Sequence, residues 1–127
     1  MSRKIITVVV TLSFLLLLSL AEQATVLRIT GRALERTQEI LADIREEDMQ
    51  GGLKKSRDLD QSWDEMAVWL ETLVDHRATD DVRYALSRLI AALEEEDSAT
   101  AMVYASELEG SVEHVYERQI LTIENIF

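Results

Sequence analysis

Residues 59–73 read LDQSWDEMAVWLETL, and within them Leu59, Trp63, Met66, Leu70 and Leu73 recur at alternating spacings of four and three. An α-helix returns to the same side every third or fourth residue, whereas a strand does so every second, so this spacing predicts a helix with one apolar face. A lone amphipathic helix of this length is marginal in water, and its face requires partners. Trp63 lies inside the stripe and is expected in the core. Trp69 follows six residues later, about 120° further round the helix, on the flank of the stripe. There it either covers a neighbouring helix or offers a contact to another protein, packing being favoured.

The same periodicity extends in both directions. Towards the N-terminus, Leu27, Leu34 and Leu41 repeat every seven residues, and Val26, Ile29, Ala33, Ile40 and Ile44 widen their stripe. This predicts a helix through Ala24 to Ile44, tolerant of Gly31, with Gly51-Gly52 as its stop signal. Towards the C-terminus, 75–81 breaks the pattern, with Thr79 as the expected N-cap and Asp80 and Asp81 against the positive end of the next helix. A third helix carries Val82, Leu86, Leu89, Ile90 and Leu93. After the acidic break at 94–98, with Asp97 or Ser98 as cap, a fourth carries Ala101, Ala105, Leu108, Val112 and Val115. The tail from Arg118 is read as a last helical turn or as an extended segment across the bundle. No fixed-period sequence repeat is visible. With no Pro and four Gly, the chain is expected to be all-α. Short connections make successive helices antiparallel neighbours, giving a small bundle of about four helices.

Ile5 to Ala21, IITVVVTLSFLLLLSLA, contains neither charge nor breaker. As a helix it is about 26 Å long, near the lower limit for crossing a hydrocarbon core of ~30 Å. Arg3 and Lys4 before it and Glu22 after it place the N-terminus in the cytoplasm by the positive-inside bias. The competing reading is a cleaved signal peptide, with Ser19 and Ala21 as the small residues before the cut. The uncleaved anchor is preferred, because the run exceeds the usual ~7–15 residues of a signal core and no breaker follows it. Residues 1–21 are therefore read as a transmembrane helix, and 22–127 as an extracytoplasmic bundle that continues from it.

The full chain has a net charge of -11, and beyond Lys4 it carries 11 basic against 24 acidic residues, or -13. Such a surface repels nucleic-acid phosphates and anionic headgroups, which leaves cations and basic protein surfaces as the charged partners it suits. The absence of Cys excludes disulfides, thiolate metal sites and a Cys nucleophile. His76 stands in an inter-helix turn near Asp75, Asp80 and Asp81, but no metal-ligand spacing supports a site there, and a capping turn is the simpler reading. His114 is expected at the edge of the fourth stripe. The acidic run at 94–97 is read as solvated, since it lacks the spaced ladder of a calcium loop. No catalytic constellation is legible, and the chain is read as a non-enzyme without cofactor or metal.

The anchor led by Arg3 and Lys4, Trp63 with the nearby Trp69, Asp75-His76, the acidic break ending at Asp97, and the terminal Leu121-Thr122-Ile123-Glu124-Asn125-Ile126-Phe127 together resemble a family of single-span bacterial membrane proteins, domain of unknown function 4363. The resemblance covers nearly the whole chain, and Asn-Ile-Phe at the terminus is its most specific part. It implies a membrane complex, because genes of the family often stand beside one for another membrane protein. Gly51-Gly52 and the excess of Arg over Lys depart from the family pattern. The expected function is a membrane-anchored interaction or structural module whose partner is another membrane protein. The alternative is an anchored or secreted domain that binds a small ligand or cation through its acidic turns. Candidate partner contacts are Trp69, His76, Asn125, Ile126 and Phe127. For the terminal residues, docking on the bundle's own helices competes with insertion into a partner's groove.

Overall fold

The computed structural model describes the backbone of residues 2–73 and 76–126 and the side chains of 2–70 and 76–121. Four helices account for it: α1 (Arg3–Arg45), α2 (Met49–Leu73), α3 (His76–Glu94) and α4 (Ser98–Ile126). Each packs against its neighbour in sequence, and α4 closes the ring against α1. The result is an up-down-up-down bundle of antiparallel helices.

Helix α1 is a single piece of 43 residues, about 64 Å long at ~1.5 Å per residue. Ser2 caps its start by accepting from the Lys4 amide at 3.2 Å. Its first half stands clear of the bundle: every side chain from Arg3 to Ser19 is exposed, including Phe14 at 64% and Leu17 at 66%. The second half joins the core along Val26, Thr30, Ala33, Thr37, Ile40 and Ile44. Leu41 is buried with them, so five residues of the expected stripe lie in the core, while Leu27, Ile29 and Leu34 are only half-buried and shift its centre to the threonines. Thr30 and Thr37 occupy its centre because their hydroxyls need no partner outside the helix. Thr30 Oγ1 donates to the Val26 carbonyl at 2.9 Å and Thr37 Oγ1 to that of Ala33 at 2.8 Å. Once bonded back to its own helix, a threonine presents mainly a methyl group to the core.

Around this narrow face stand the larger side chains of the other helices. Leu59, Trp63 and Leu70 of α2, Val82, Leu86 and Leu89 of α3, and Leu108, Val112 and Val115 of α4 are fully buried. Met66 and Ile90 flank the core, half-buried. Leu73, the last residue expected in the α2 seam, lies outside the described side chains. Trp63 is the largest buried residue, and its indole N–H donates to the Thr79 carbonyl at 3.2 Å. A buried indole needs such an acceptor. Thr79 is accordingly an interior residue of α3 and not its N-cap. The helix begins at His76, and Thr79 Oγ1 donates to the His76 carbonyl at 2.9 Å.

The two turns at the far end share one construction. After α1, Glu47 takes a left-handed φ of 61°, its amide donates to Ile44 O at 3.1 Å, and the Asp48 amide reaches Asp43 O at 2.8 Å. After α3, Glu96 has φ 56°, and the amides of Glu96 and Asp97 reach Leu93 O at 3.1 Å and Ala92 O at 3.0 Å. Both are Schellman endings with glutamate where glycine is usual. Gly51-Gly52 thus does not stop α1. Both glycines lie in the first turn of α2, where a Cβ on Gly51 would collide with the capping carboxylate of Asp48. The turn sequences Glu46-Glu47-Asp48 and Glu95-Glu96-Asp97 are identical. At the same offset Thr30, Ile40 and Ile44 match Thr79, Leu89 and Leu93, and Leu59 matches Leu108, all of them buried. The bundle is two corresponding helical hairpins, a relation that direct reading of the sequence does not reveal.

Trp63→Ala is expected to cost about 3–5 kcal/mol, the range for emptying a large buried aromatic site; urea denaturation of the isolated 22–127 domain measures it, and a midpoint matching wild type would show that Trp63 is not a core anchor. Glu47→Gly and Glu96→Gly should each raise the melting temperature, because a left-handed non-glycine residue costs roughly 1 kcal/mol that glycine avoids.

Candidate functional site

The up-down topology divides the bundle into two poles of different chemistry. The pole farthest from the apolar half of α1 carries the two acidic turns. There the aspartates cap helices: Asp48 Oδ1 accepts from the Gly51 amide at 2.9 Å, and Asp97 accepts from the Thr100 amide at 3.2 Å and the Thr100 hydroxyl at 2.7 Å. Of the two caps expected for α4, Asp97 is the one used. Among the described residues no group of three or more His, Asp or Glu is arranged to hold a metal ion. The acidic run is a pair of helix ends.

The opposite pole is where the apolar half of α1 emerges, and Trp69, His76 and the backbone of Asn125 and Ile126 lie towards it. It gathers the C-terminal ends of α2 and α4 and the start of α3. Gly31 of α1 faces Tyr116 of α4. Since antiparallel helices rise equally per residue, the end of α4 at Ile126 comes level with Ala21, where the apolar run finishes. The tail from Arg118 is therefore helix, not an extended strap. Asn125 and Ile126 belong to α4, but their side chains, and Phe127 altogether, lie outside the described residues, as does Asp75. His76 opens α3 and is exposed, with Asp80 and Asp81 a turn further on. His114 is exposed on the outer face of α4 between Val112 and Val115.

Trp69 departs from the favoured expectation of packing: it is 68% exposed, beside Val68 at 73%. Its ring borders a mainly apolar cavity of about 160 Å³ between α1 and α2, with Ala21, Glu22, Thr25, Val26, Ile29 and Leu70 on the other sides. A second cavity of about 230 Å³ lies further along the same seam, bordered by Ile29, Arg32, Arg36, Ser62, Glu65 and Met66. Arg36 Nη1 donates to Ser62 Oγ at 3.0 Å across it. Small residues border both cavities, Thr25 the first and Ala33 and Ser62 the second. Periodicity alone could not locate this groove, since neither Thr25 nor its arginines stand out from an ordinary solvated face.

A protein-family model described as domain of unknown function (DUF4363) matches residues 21–126. The chain belongs to that family, and the match begins where the apolar run ends. No curated protein and no solved structure matches the chain.

The Thr100 hydroxyl, then the Thr100 amide, holds the Asp97 carboxyl below its ordinary value of 3.8. A depressed folded pKa means that the cap's contribution is complete above that ordinary value and fades as the pH falls through the lower folded one. In thermal melts across pH, Asp97→Ala should therefore melt below wild type at neutral pH, with the gap closing in acid. A constant gap would show that the carboxylate charge is irrelevant to the cap.

Proposed function

We propose that this member of the DUF4363 family is a membrane-anchored helical module that holds an interaction surface at a fixed distance from the bilayer and joins a complex with another membrane protein. One observation carries the reading: a helix long and apolar enough to cross a membrane, with no part of its apolar window buried, runs without interruption into the first core helix of a packed bundle. A soluble bundle has no use for such a run of exposed Leu, Val and Ile, which water disfavours by ~25 cal/mol per Å² of apolar surface. A hydrocarbon core satisfies it, since every backbone group of the helix is bonded internally.

The positive-inside bias of Arg3 and Lys4 orients the span with the N-terminus in the cytoplasm and the bundle outside. Within the bundle the candidate contact surface is the pole nearest the membrane, where Trp69 and Val68 are exposed and α4 ends. A partner that is itself membrane-bound meets that pole first. The acidic turns face away from it and their aspartates serve as caps, which supports the interaction reading over cation binding.

The chain has no Cys, so a single introduced thiol reports its own environment. With Gln61→Cys, on the exposed face of α2, a membrane-impermeant maleimide is expected to label intact cells, and the protein is expected to stay with membranes through alkaline extraction. Labelling only after lysis would reverse the orientation. Release into the alkaline supernatant would remove the anchor.

A further inference from the structure

The two cavities between α1 and α2 form one groove with a gradient of polarity. They share Ile29 as a wall, and their residues follow one face of each helix: Thr25, Ile29, Arg32 and Arg36 on α1, and Ser62, Met66 and Trp69 on α2. The lower chamber opens beside Ala21, at the end of the apolar run, and is lined mainly by hydrocarbon and the Trp69 ring, with Glu22 and Thr25 on its border. The upper chamber carries two guanidiniums, one hydroxyl and the Glu65 carboxylate. Arg36 spends one N–H on Ser62, and a guanidinium has five. Arg32 makes no ion pair among the described residues, in a chain with 24 acidic residues. Side chains on a helix lean towards its N-terminus, so the arginines of α1 lean down the groove towards the apolar run.

We infer that this groove holds one phospholipid with a zwitterionic, amine-bearing headgroup. The carbons of one acyl chain nearest the glycerol lie in the lower chamber against Trp69, the phosphate between Arg32 and Arg36, and the ammonium beside Glu65, while the rest of both chains runs on beside the apolar half of α1. The inference rests on the membrane-anchored reading above. Three features select this occupant. The apolar chamber is continuous with the segment that enters the bilayer. The cationic chamber stands on the side away from the bilayer, which is the order of tail and head in a lipid. The two guanidiniums and the carboxylates of Glu65 and Glu22 leave the groove without net charge, which complements a phosphate with an attached ammonium better than a headgroup bearing only negative charge.

Tryptophan fluorescence of the full chain in phosphatidylcholine vesicles tests it, with a small share of either chain-brominated phosphatidylethanolamine or chain-brominated phosphatidylglycerol as quencher. Trp63 is fully buried and serves as a constant background, and Trp69→Phe isolates the Trp69 signal. Trp69 is expected to be quenched more by the brominated phosphatidylethanolamine, and that excess is expected to vanish in Arg32→Gln/Arg36→Gln, whose exposed substitutions leave the core untouched. Equal quenching by both lipids in every variant would place Trp69 merely at the bilayer surface and overturn the inference. No quenching in a chain that floats with the vesicles would overturn it in favour of a protein segment in the groove. A chain that does not float would refute the anchor itself, an outcome distinct from the other two.

Discussion

Everything in the bundle depends on four stripes meeting around Trp63. None of the helices has enough local stability to persist alone, so each exists because its apolar face is covered by two neighbours. The indole spans the gap between α2 and α3 and ties the second hairpin to the first through Thr79 O. That bond fixes more than a height. A slip of α3 by one turn would strip the indole N–H of its acceptor inside the core, where an unmet donor costs more than a well-made bond contributes.

The narrowness of α1 is the complement of that bulk. Thr30, Ala33 and Thr37 give it a thin face, and the large residues opposite can approach it closely. Of these small residues, Ala33 also borders the upper cavity of the α1–α2 seam, so it belongs both to the interior and to the wall of the groove. Ion pairs between helices, such as Lys55–Asp43 at 2.8 Å and Arg57–Glu94 at 2.9 Å, stand at the rim. Exposed pairs of this kind add little stability and serve chiefly to set which faces adjoin.

The fold was legible where apolar side chains dominate their helix. The seams of α2, α3 and α4 and the apolar run of α1 could be read directly, because Leu, Val and Trp mark a face without ambiguity. The reading failed where backbone chemistry decides. Gly51-Gly52 looks like a helix stop, yet the left-handed residue is Glu47, and an aspartate cap immediately behind it starts the next helix. Thr79 looks like a cap, yet a threonine that bonds to its own helix is at home in a core. The α1 stripe was read correctly at Val26, Ala33, Ile40, Leu41 and Ile44, but Leu27 and Leu34 drew attention from the threonines that lie at its centre. Of the candidate site, the exposure of Trp69 and the convergence of α2, α3 and α4 on one pole required knowledge of heights along the bundle, which hydropathy does not encode.

The unbroken α1 also has a mechanical meaning. With no proline and no loop between its apolar half and its packed half, the helix would act, once anchored as proposed, as a lever with its fulcrum near Ala21. Beyond that point it extends about 36 Å at ~1.5 Å per residue. Transmembrane helices commonly tilt by ~20° and readjust as bilayer thickness changes. A change of about 10° in the tilt of the apolar half would swing the far turns sideways by roughly 6 Å for a rod of this length. On the membrane-anchored reading proposed above, the bundle packed on the outer arm would move with it as one body, and a change in the bilayer would become a displacement at the distal pole without rearrangement of the core.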